Sequence, residues 1–93
     1  MSTVLTEPEI DAALLNLPGW SRKAGTIERV FQFDDFAQAM VFVNKMANAA
    51  EAANHHPDIA ISWNKVTLRL TTHDAGGLTQ LDLDLAGQID GLG

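Results

Sequence analysis

The sequence predicts an α+β domain in which a four-stranded antiparallel sheet carries helices on one face. Two patterns support this prediction. Apolar and polar residues alternate in two pairs of short segments, and apolar residues recur every three or four positions in three other segments. The segments follow the order helix, two strands, helix, two strands, helix. The 93 residues should form a single domain spanning 1–93, because so short a chain has no room for a second core.

The first third of the chain predicts a short helix and a hairpin. Thr6 and Glu9 have the spacing of a capping box, so a helix should begin here and run to about Leu15. Segments 20–23 and 26–33 are then expected to form two strands that turn at Ala24-Gly25.

A long helix is predicted from Phe36 onward. Asp34 and Asp35 supply acidic groups at its amino end, where the helix dipole favours them. Pro57 disfavours helical geometry at the residue before it, so the helix should end near Asn54 or His55. Two adjacent apolar stripes predict a broad buried face, namely Phe36, Met40, Val43, Ala47 and Ala50, and Ala39, Phe42, Met46, Ala49 and Ala53.

A second hairpin and a last helix complete the predicted fold. Segments 59–63 and 66–71 alternate in polarity, with a turn expected at Asn64-Lys65. After Gly76-Gly77, Thr79 and Asp82 have capping-box spacing and predict the start of a helix. Its apolar positions would be Leu81, Leu85 and Ile89.

Composition excludes several classes of function. The formal net charge is −6 and only six residues are Lys or Arg, which argues against direct nucleic-acid binding. The absence of cysteine excludes disulfides, thiolate metal ligands and a cysteine nucleophile. No apolar run approaches the length of a membrane span, and no signal segment is visible, so we expect a soluble, cytoplasmic protein.

All three histidines fall within nineteen residues, which predicts a site for proton transfer. Glu51 and His55 are four residues apart, so they should be neighbours on one helix face. Pro57 should keep His56 extended and pointing elsewhere, while His73 should end the strand that begins at Val66. If the hairpin packs beside the long helix, the three imidazoles and one carboxylate would converge on a small ligand.

Simpler interpretations of the same residues stay open. His55 and His56 could form a surface turn, His73 could be an ordinary loop residue, and Asp82 could serve only as a helix cap. Trp63 could belong to the core or to a pocket wall. A zinc or iron site is disfavoured, because the chain has no His-x-His or His-x-x-x-His pair and adjacent histidines are poorly placed to share one ion.

The spacing of these residues resembles the signature of the pterin-4a-carbinolamine dehydratases. The matching set is Glu51, His55-His56-Pro57, Trp63, His73 and Asp82. The flanks are similar too, namely Leu17-Pro18-Gly19-Trp20, the run Phe31, Phe33 and Phe36, and Gly77-Leu78-Thr79. The resemblance covers residues 10–90, and it joins residues of chemical importance that lie on separate elements.

The resemblance implies an enzyme that dehydrates 4a-hydroxytetrahydropterin to quinonoid dihydropterin, recycling the cofactor of aromatic amino acid hydroxylases. It also implies the same element order, a homodimer or homotetramer, and no metal or cofactor. We expect His55 and His73 to act as general acid and base, and His56 to hold the pterin. Glu51 would orient His55, and Trp63 would line the pocket. Asp82 would contact the site through His73 or cap the last helix.

Two other functions stay open within the resemblance. Some relatives serve as dimerisation partners of a transcription factor, and others could act on another pterin, such as the molybdenum cofactor precursor. Retention of all three histidines favours a dehydratase.

Overall fold

The computed structural model describes residues 3–92, and its elements follow the predicted order. A 3₁₀ turn at His73–Ala75 precedes the last helix. The helices and strands are α1 (Glu7–Leu14), β1 (Ser21–Lys23), β2 (Thr26–Gln32), α2 (Phe36–Ala53), β3 (Asp58–Ser62), β4 (Lys65–Leu70) and α3 (Gln80–Asp90).

The four strands form one antiparallel sheet in the order β1-β2-β4-β3. The two hairpins therefore meet through β2 and β4. Alternate residues of β4 are fully buried, namely Val66, Leu68 and Leu70, while Lys65 before them and Arg69 between them are exposed. This period of two shows that one face of the sheet supports the core, as predicted for a sheet with helices on one side.

The core side of α2 is narrower than the two predicted stripes. Ala39, Phe42, Met46 and Ala50 are buried, whereas Phe36 is about half exposed. The ring of Phe42 stacks on Phe31 with centroids 4.6 Å apart, which fixes the helix over β2. The predicted stripe that contains Phe42 therefore faces the sheet, and Ala50 extends it towards the end of the helix.

The helix ends lie where the sequence predicts them, but the residue that ends α2 differs from the one expected. The backbone N–H of Thr6 donates to Glu9 over 2.8 Å, and the Glu9 N–H donates to the Thr6 hydroxyl over 3.3 Å, as in a capping box. Helix α2 ends at Ala53, as expected. The residue that ends it is Asn54, which takes a left-handed conformation with φ 50°, rather than a residue shaped by Pro57.

The second hairpin turns one residue earlier than predicted. Trp63 occupies the turn with a φ of 51°, and 67% of its surface is exposed. Asn64 is the buried member of the turn, and its side-chain NH₂ donates to the Phe33 carbonyl over 2.8 Å. A core position for Trp63 is therefore wrong, because the turn reverses the alternation that the sequence pattern extends through this residue.

Strand β4 also ends earlier than expected, at Leu70. His73 begins the 3₁₀ turn instead of ending the strand. The loop after the strand is closed by the Thr72 N–H, which donates to the Gly77 carbonyl over 3.1 Å. The N-terminal segment runs beside this loop, because the Leu5 N–H donates to the Leu78 carbonyl over 2.8 Å.

Candidate active site

The end of α2 and the start of α3 meet through two side chains, His55 and Asp82. Nε2 of His55 lies 2.5 Å from Oδ1 of Asp82. The carboxylate is fully buried, and the imidazole keeps 11% of its side-chain surface exposed. One edge of the His55 ring is therefore held inside the protein, while the ring remains accessible to a small ligand.

Asp82 has this position because it belongs to the first turn of α3. Its Oδ2 accepts a hydrogen bond from the Thr79 backbone N–H over 2.9 Å, which is half of a capping box. The same oxygen accepts from the Thr72 hydroxyl over 2.8 Å. The sequence left open whether Asp82 contacts the site through His73 or caps the helix. It caps the helix, and the histidine that its carboxylate contacts is His55.

The pairing decides which nitrogen of His55 faces a ligand. An ionised carboxylate only accepts hydrogen bonds, so a neutral His55 must carry its hydrogen on Nε2. Nδ1 of His55 has no hydrogen-bond partner among residues 3–92, and no side-chain nitrogen or oxygen buried in that range lacks one. Nδ1 is therefore accessible and is the atom that can accept a proton from outside.

His56 and Glu51 form a separate, exposed pair. Nε2 of His56 lies 3.6 Å from Oε2 of Glu51, and both side chains are more than half exposed. The prediction that Glu51 orients His55 is wrong in this structure. The left-handed turn at Asn54 swings the chain, so that His55 points inward to Asp82 and His56 points back along the helix surface.

His73 approaches the same place from the loop after β4. Together with His55 and His56 it lines a groove of about 240 Å³. The three histidines therefore line one groove, as the sequence predicted, whereas the carboxylate predicted to join them, that of Glu51, does not line it. The other lining residues are Asn54, Thr71, Thr72 and Asp74.

A larger cavity of about 610 Å³ adjoins this groove. The two share four lining residues, namely Asn54, His55, Thr72 and Asp74. The larger cavity adds apolar surface from Val4, Ala75 and Leu81. His55 thus borders both spaces, so one ligand can contact the polar groove with one part and the apolar wall with another.

Trp63 lines neither space. It lies at the far end of β3 from the histidines, and a strand rises about 3.3 Å per residue, which separates it from Asp58 by roughly 16 Å. The prediction that it forms a wall of this pocket is wrong. Its alternation with Ile59 and Ile61 is the pattern of a strand and carries no information about the distance to the site.

Thr72 and Asn54 are site residues that sequence reasoning missed. Thr72 is buried next to Asp82, and Asn54 lines both spaces. A buried threonine at the end of an alternating strand gives no distinct signal. The asparagine does give one, because Asn directly after a helical pattern is a known signal for a left-handed helix end.

The arrangement supports proton transfer by two or more imidazoles. Among residues 3–92 no group of three or more His, Asp or Glu side chains is placed to hold a metal ion. Within the same range no helix combines the length and apolar character that a membrane crossing requires.

Comparisons with known proteins agree with the resemblance. The sequence profile of the family described as pterin 4 alpha carbinolamine dehydratase matches residues 3–92. A protein from Picosynechococcus sp. is 59% identical over 92 residues, covering 99% of this chain and 100% of that protein. One from Koribacter versatilis is 53% identical over 90 residues, covering 97% and 96%. Both are provisionally named pterin-4-alpha-carbinolamine dehydratase.

Two solved structures share the fold. A crystal structure from Brucella melitensis, described as a transcriptional coactivator/pterin dehydratase, superposes with a TM-score of 0.93 at 36% identity, covering 97% of this chain and 98% of that one. A pterin dehydratase-like protein, described as a RuBisCO assembly factor in the α-carboxysome, has a TM-score of 0.65 at 23% identity, covering 78% and 84%. The second likeness shows the fold alone.

Proposed function

Because this chain belongs to the pterin-4-alpha-carbinolamine dehydratase family, we propose that it removes water from 4a-hydroxytetrahydropterin to give quinonoid dihydropterin. One observation carries the proposal. Three imidazoles surround a single groove, and one of them, His55, is paired with a buried carboxylate. In this role the protein is a hydro-lyase that recycles the pterin used by an aromatic amino acid hydroxylase.

The reaction needs one acid and one base. The C4a–O bond breaks as a general acid protonates the departing hydroxyl, which leaves as water. A general base takes the proton from N5, and the electron pair of that N–H bond forms the new double bond. Each positioned group contributes about 10²–10⁴-fold to the rate. The proton given and the proton taken balance, so the proposed reaction uses neither a metal nor a redox cofactor.

We assign the acid and base roles to His55 and His73. Asp82 fixes the His55 ring and leaves Nδ1 as the nitrogen that exchanges a proton with the pterin. His73 reaches the same groove from the turn after β4, whereas His55 reaches it from the end of α2. The two histidines can therefore act on atoms at different edges of one flat ring. His56 is more exposed than His55, and we assign it to holding the pterin, with Glu51 as its partner.

The second space beside His55 suits the rest of the pterin. The apolar side chains of Val4 and Leu81 form a wall on which a substituent of the ring can pack. Asp74 lines both spaces and offers carboxylate oxygens to N–H groups of the ring. The groove then positions the reacting atoms, and the larger cavity accommodates the remainder.

Kinetics of 4a-hydroxytetrahydropterin dehydration test the proposal. Wild type should accelerate the reaction, and His55→Ala and His73→Ala should each lower kcat by about 10²-fold or more. His56→Ala should mainly raise KM. Thr67→Val, on the sheet face opposite the core, is the control and should keep wild-type kinetics. If the folded wild type gives no acceleration, the dehydratase proposal fails.

A partner-binding role is a second candidate. The Brucella structure is described as a coactivator as well as a pterin dehydratase. On this chain, Ile59 and Ile61 on β3 and Trp63 in the turn that follows are exposed apolar residues that do not line the groove. Action on a different pterin remains a further alternative, because the same groove would bind it.

A cytoplasmic location stays a prediction.

We also propose that the protein self-associates through β3. Within residues 3–92 this strand pairs only with β4, so its outer edge has free N–H and C=O groups. Ile59 and Ile61 pair with the buried Leu68 and Val66 and share their face, yet remain about 40% exposed. A second copy added antiparallel would satisfy the edge and cover both isoleucines.

A further inference from the structure

We propose that Thr72 is a positioning residue, whose hydroxyl sets the orientation of Asp82 and thereby of His55. The kinetic test of this inference rests on the proposed function, whereas the hydrogen bonds that support it do not depend on that function. Neither spacing nor residue type marks Thr72 as part of the site. Its importance follows from a buried row of hydrogen bonds behind the histidine.

The direction of this row is fixed by its acceptor. Thr72 Oγ1 lies 2.8 Å from Asp82 Oδ2 and 2.8 Å from Thr79 Oγ1, and all three residues are buried. A carboxylate oxygen can only accept, so the single hydroxyl hydrogen of Thr72 must go to Asp82. Thr79 is then the donor to Thr72. Hydrogens thus point along one path, from Thr79 through Thr72 to the carboxylate.

The path leaves one carboxylate oxygen for the imidazole. Oδ2 of Asp82 already accepts from the Thr72 hydroxyl and the Thr79 N–H, while Oδ1 faces Nε2 of His55. Two hydrogen-bond donors on Oδ2 prevent the carboxylate from rotating about the Cβ–Cγ bond of Asp82. Removing the hydroxyl leaves a single donor there, so the carboxylate gains freedom and the His55 ring loses its fixed orientation.

Thr72 also anchors the loop that carries His73. Its carbonyl accepts from the N–H groups of Ala75 and Gly76 over 3.1 and 3.0 Å, and its own N–H donates to Gly77. The Thr72 side chain therefore contacts Asp82, which holds His55. The Thr72 backbone shapes the turn that carries His73. A shift at Thr72 changes the distance between the two imidazoles.

Three threonine variants test the role of the hydroxyl. Thr72→Val has nearly the same shape without the hydroxyl, Thr72→Ser keeps the hydroxyl, and Thr67→Val is a matched control on the other face of the sheet. We expect Thr72→Val to lower kcat about 10- to 100-fold, by analogy with the loss of outer groups that orient metal-bound histidines. KM should change much less. Thr72→Ser should recover most of the activity.

Nitrogen NMR of ¹⁵N-labelled histidine gives a readout that does not depend on catalysis. In wild type, the neutral form of His55 should carry its hydrogen on Nε2. In Thr72→Val, a mixture with the Nδ1–H form should appear, and Thr72→Ser should restore the single form. If Thr72→Val does not fold, Thr72→Ala replaces it in the same series.

Two results would overturn the proposal. One is an unchanged His55 tautomer and kcat in the folded variant without the hydroxyl. The other is a Thr72→Ser variant as impaired as Thr72→Val, since packing of the methyl group would then be the cause. Absence of dehydratase activity in wild type would reject the proposed function alone, because the tautomer measurement still decides whether Thr72 positions His55.

Discussion

Oδ1 of Asp82, in the first turn of α3, lies 2.5 Å from Nε2 of His55, just beyond the end of α2. Two helix ends are thereby joined at the wall of the groove. Asp82 has two tasks at this point, because its other oxygen caps α3 through the Thr79 N–H. Packing of the two helices and orientation of the imidazole are therefore parts of one arrangement, and substitutions at Asp82 should affect both.

Asp82→Asn should lower kcat by about 10²-fold or more while the protein stays folded. Donors from Thr72 and Thr79 occupy Oδ2, so the amide oxygen must take that place and the amide NH₂ must face His55. Nε2 of His55 then accepts, and its hydrogen moves to Nδ1, which can no longer take a proton. Steady-state dehydration kinetics and the ¹⁵N tautomer signature of His55 measure the two effects.

Asp84→Asn is the matched control for this change, since Asp84 is exposed on the same helix and accepts a hydrogen bond from the exposed Gln80 side chain. It should keep wild-type kcat. Wild-type kcat in an Asp82→Asn variant whose His55 carries its hydrogen on Nδ1 would remove the pair from the mechanism.

Glu51→Gln should change kcat by less than about fivefold, because an exposed ion pair contributes at most about 1 kcal/mol. The Glu51 carboxylate lies 3.6 Å from His56, and both side chains are largely in solvent. Any effect should appear in KM, through the proposed role of His56. Parallel measurement of kcat and KM checks this. A fall in kcat as large as that of His55→Ala would instead restore Glu51 as the partner of His55.

The contrast between Glu51 and Asp82 shows what the sequence can and cannot predict. Spacing along a helix is a local property, so the helix ends, the strands and the capping role of Asp82 follow from residues three or four apart. The pairing of His55 with Asp82 joins residues 27 positions apart and depends on how α2 and α3 pack. One left-handed residue, Asn54, then decides which histidine faces inward.

The errors at Trp63 and Thr72 have a similar origin. A turn displaced by one residue moves Trp63 from a strand face to solvent, because side chains alternate along a strand. Thr72 looks like the last polar residue of a strand, and only tertiary packing places Asp82 and Thr79 against it. Convergence of the three histidines could be predicted because the strand that leads to His73 pairs directly with the one that follows His56.

Glu28 should make stability depend on pH below neutrality. Its hydrogen bond to Arg69, assisted by the charge of Lys23, lowers the pKa of its carboxyl below the ordinary 4.5. Because the pKa of Glu28 is lower in the folded than in the unfolded state, its ionised carboxylate stabilises the protein at pH values above the unfolded-state pKa. This contribution is lost as pH falls through the folded-state pKa. Glu28→Gln should therefore lower the urea midpoint at pH 7, with a difference that shrinks below pH 4.5.

Thr67→Val serves as the control for Glu28, because it lies on the same open face and introduces no titrating group. Its offset from the wild-type urea midpoint should stay constant with pH. A Glu28→Gln offset that is equally constant would show that the ion pairs of Glu28 contribute nothing to stability.

Ile59→Pro should convert the proposed oligomer into monomers. The two-residue turn makes Ser62 and Lys65 a hydrogen-bonded pair, and such pairs alternate along the ladder, so the N–H of Ile59 points to the free edge of β3. Proline removes that N–H beside the point where an antiparallel second copy would pair residue 60 with residue 60. In that register Asp58 faces Ser62 of the partner rather than another carboxylate, so no like charges oppose each other despite the net charge of −6. Ile61→Lys should act in the same direction by placing charge among the exposed isoleucines.

Sedimentation velocity at micromolar concentration measures the mass of each variant. Val30→Lys is the matched control, since Val30 is also exposed but lies on β2, which is a central strand of the sheet with β1 and β4 on its two sides. It should keep the wild-type mass, whereas Ile59→Pro and Ile61→Lys should sediment as folded monomers. A monomeric wild type would end the proposal for self-association. An oligomer that survives both β3 substitutions but dissociates in Val30→Lys would move the interface to the open face of the sheet.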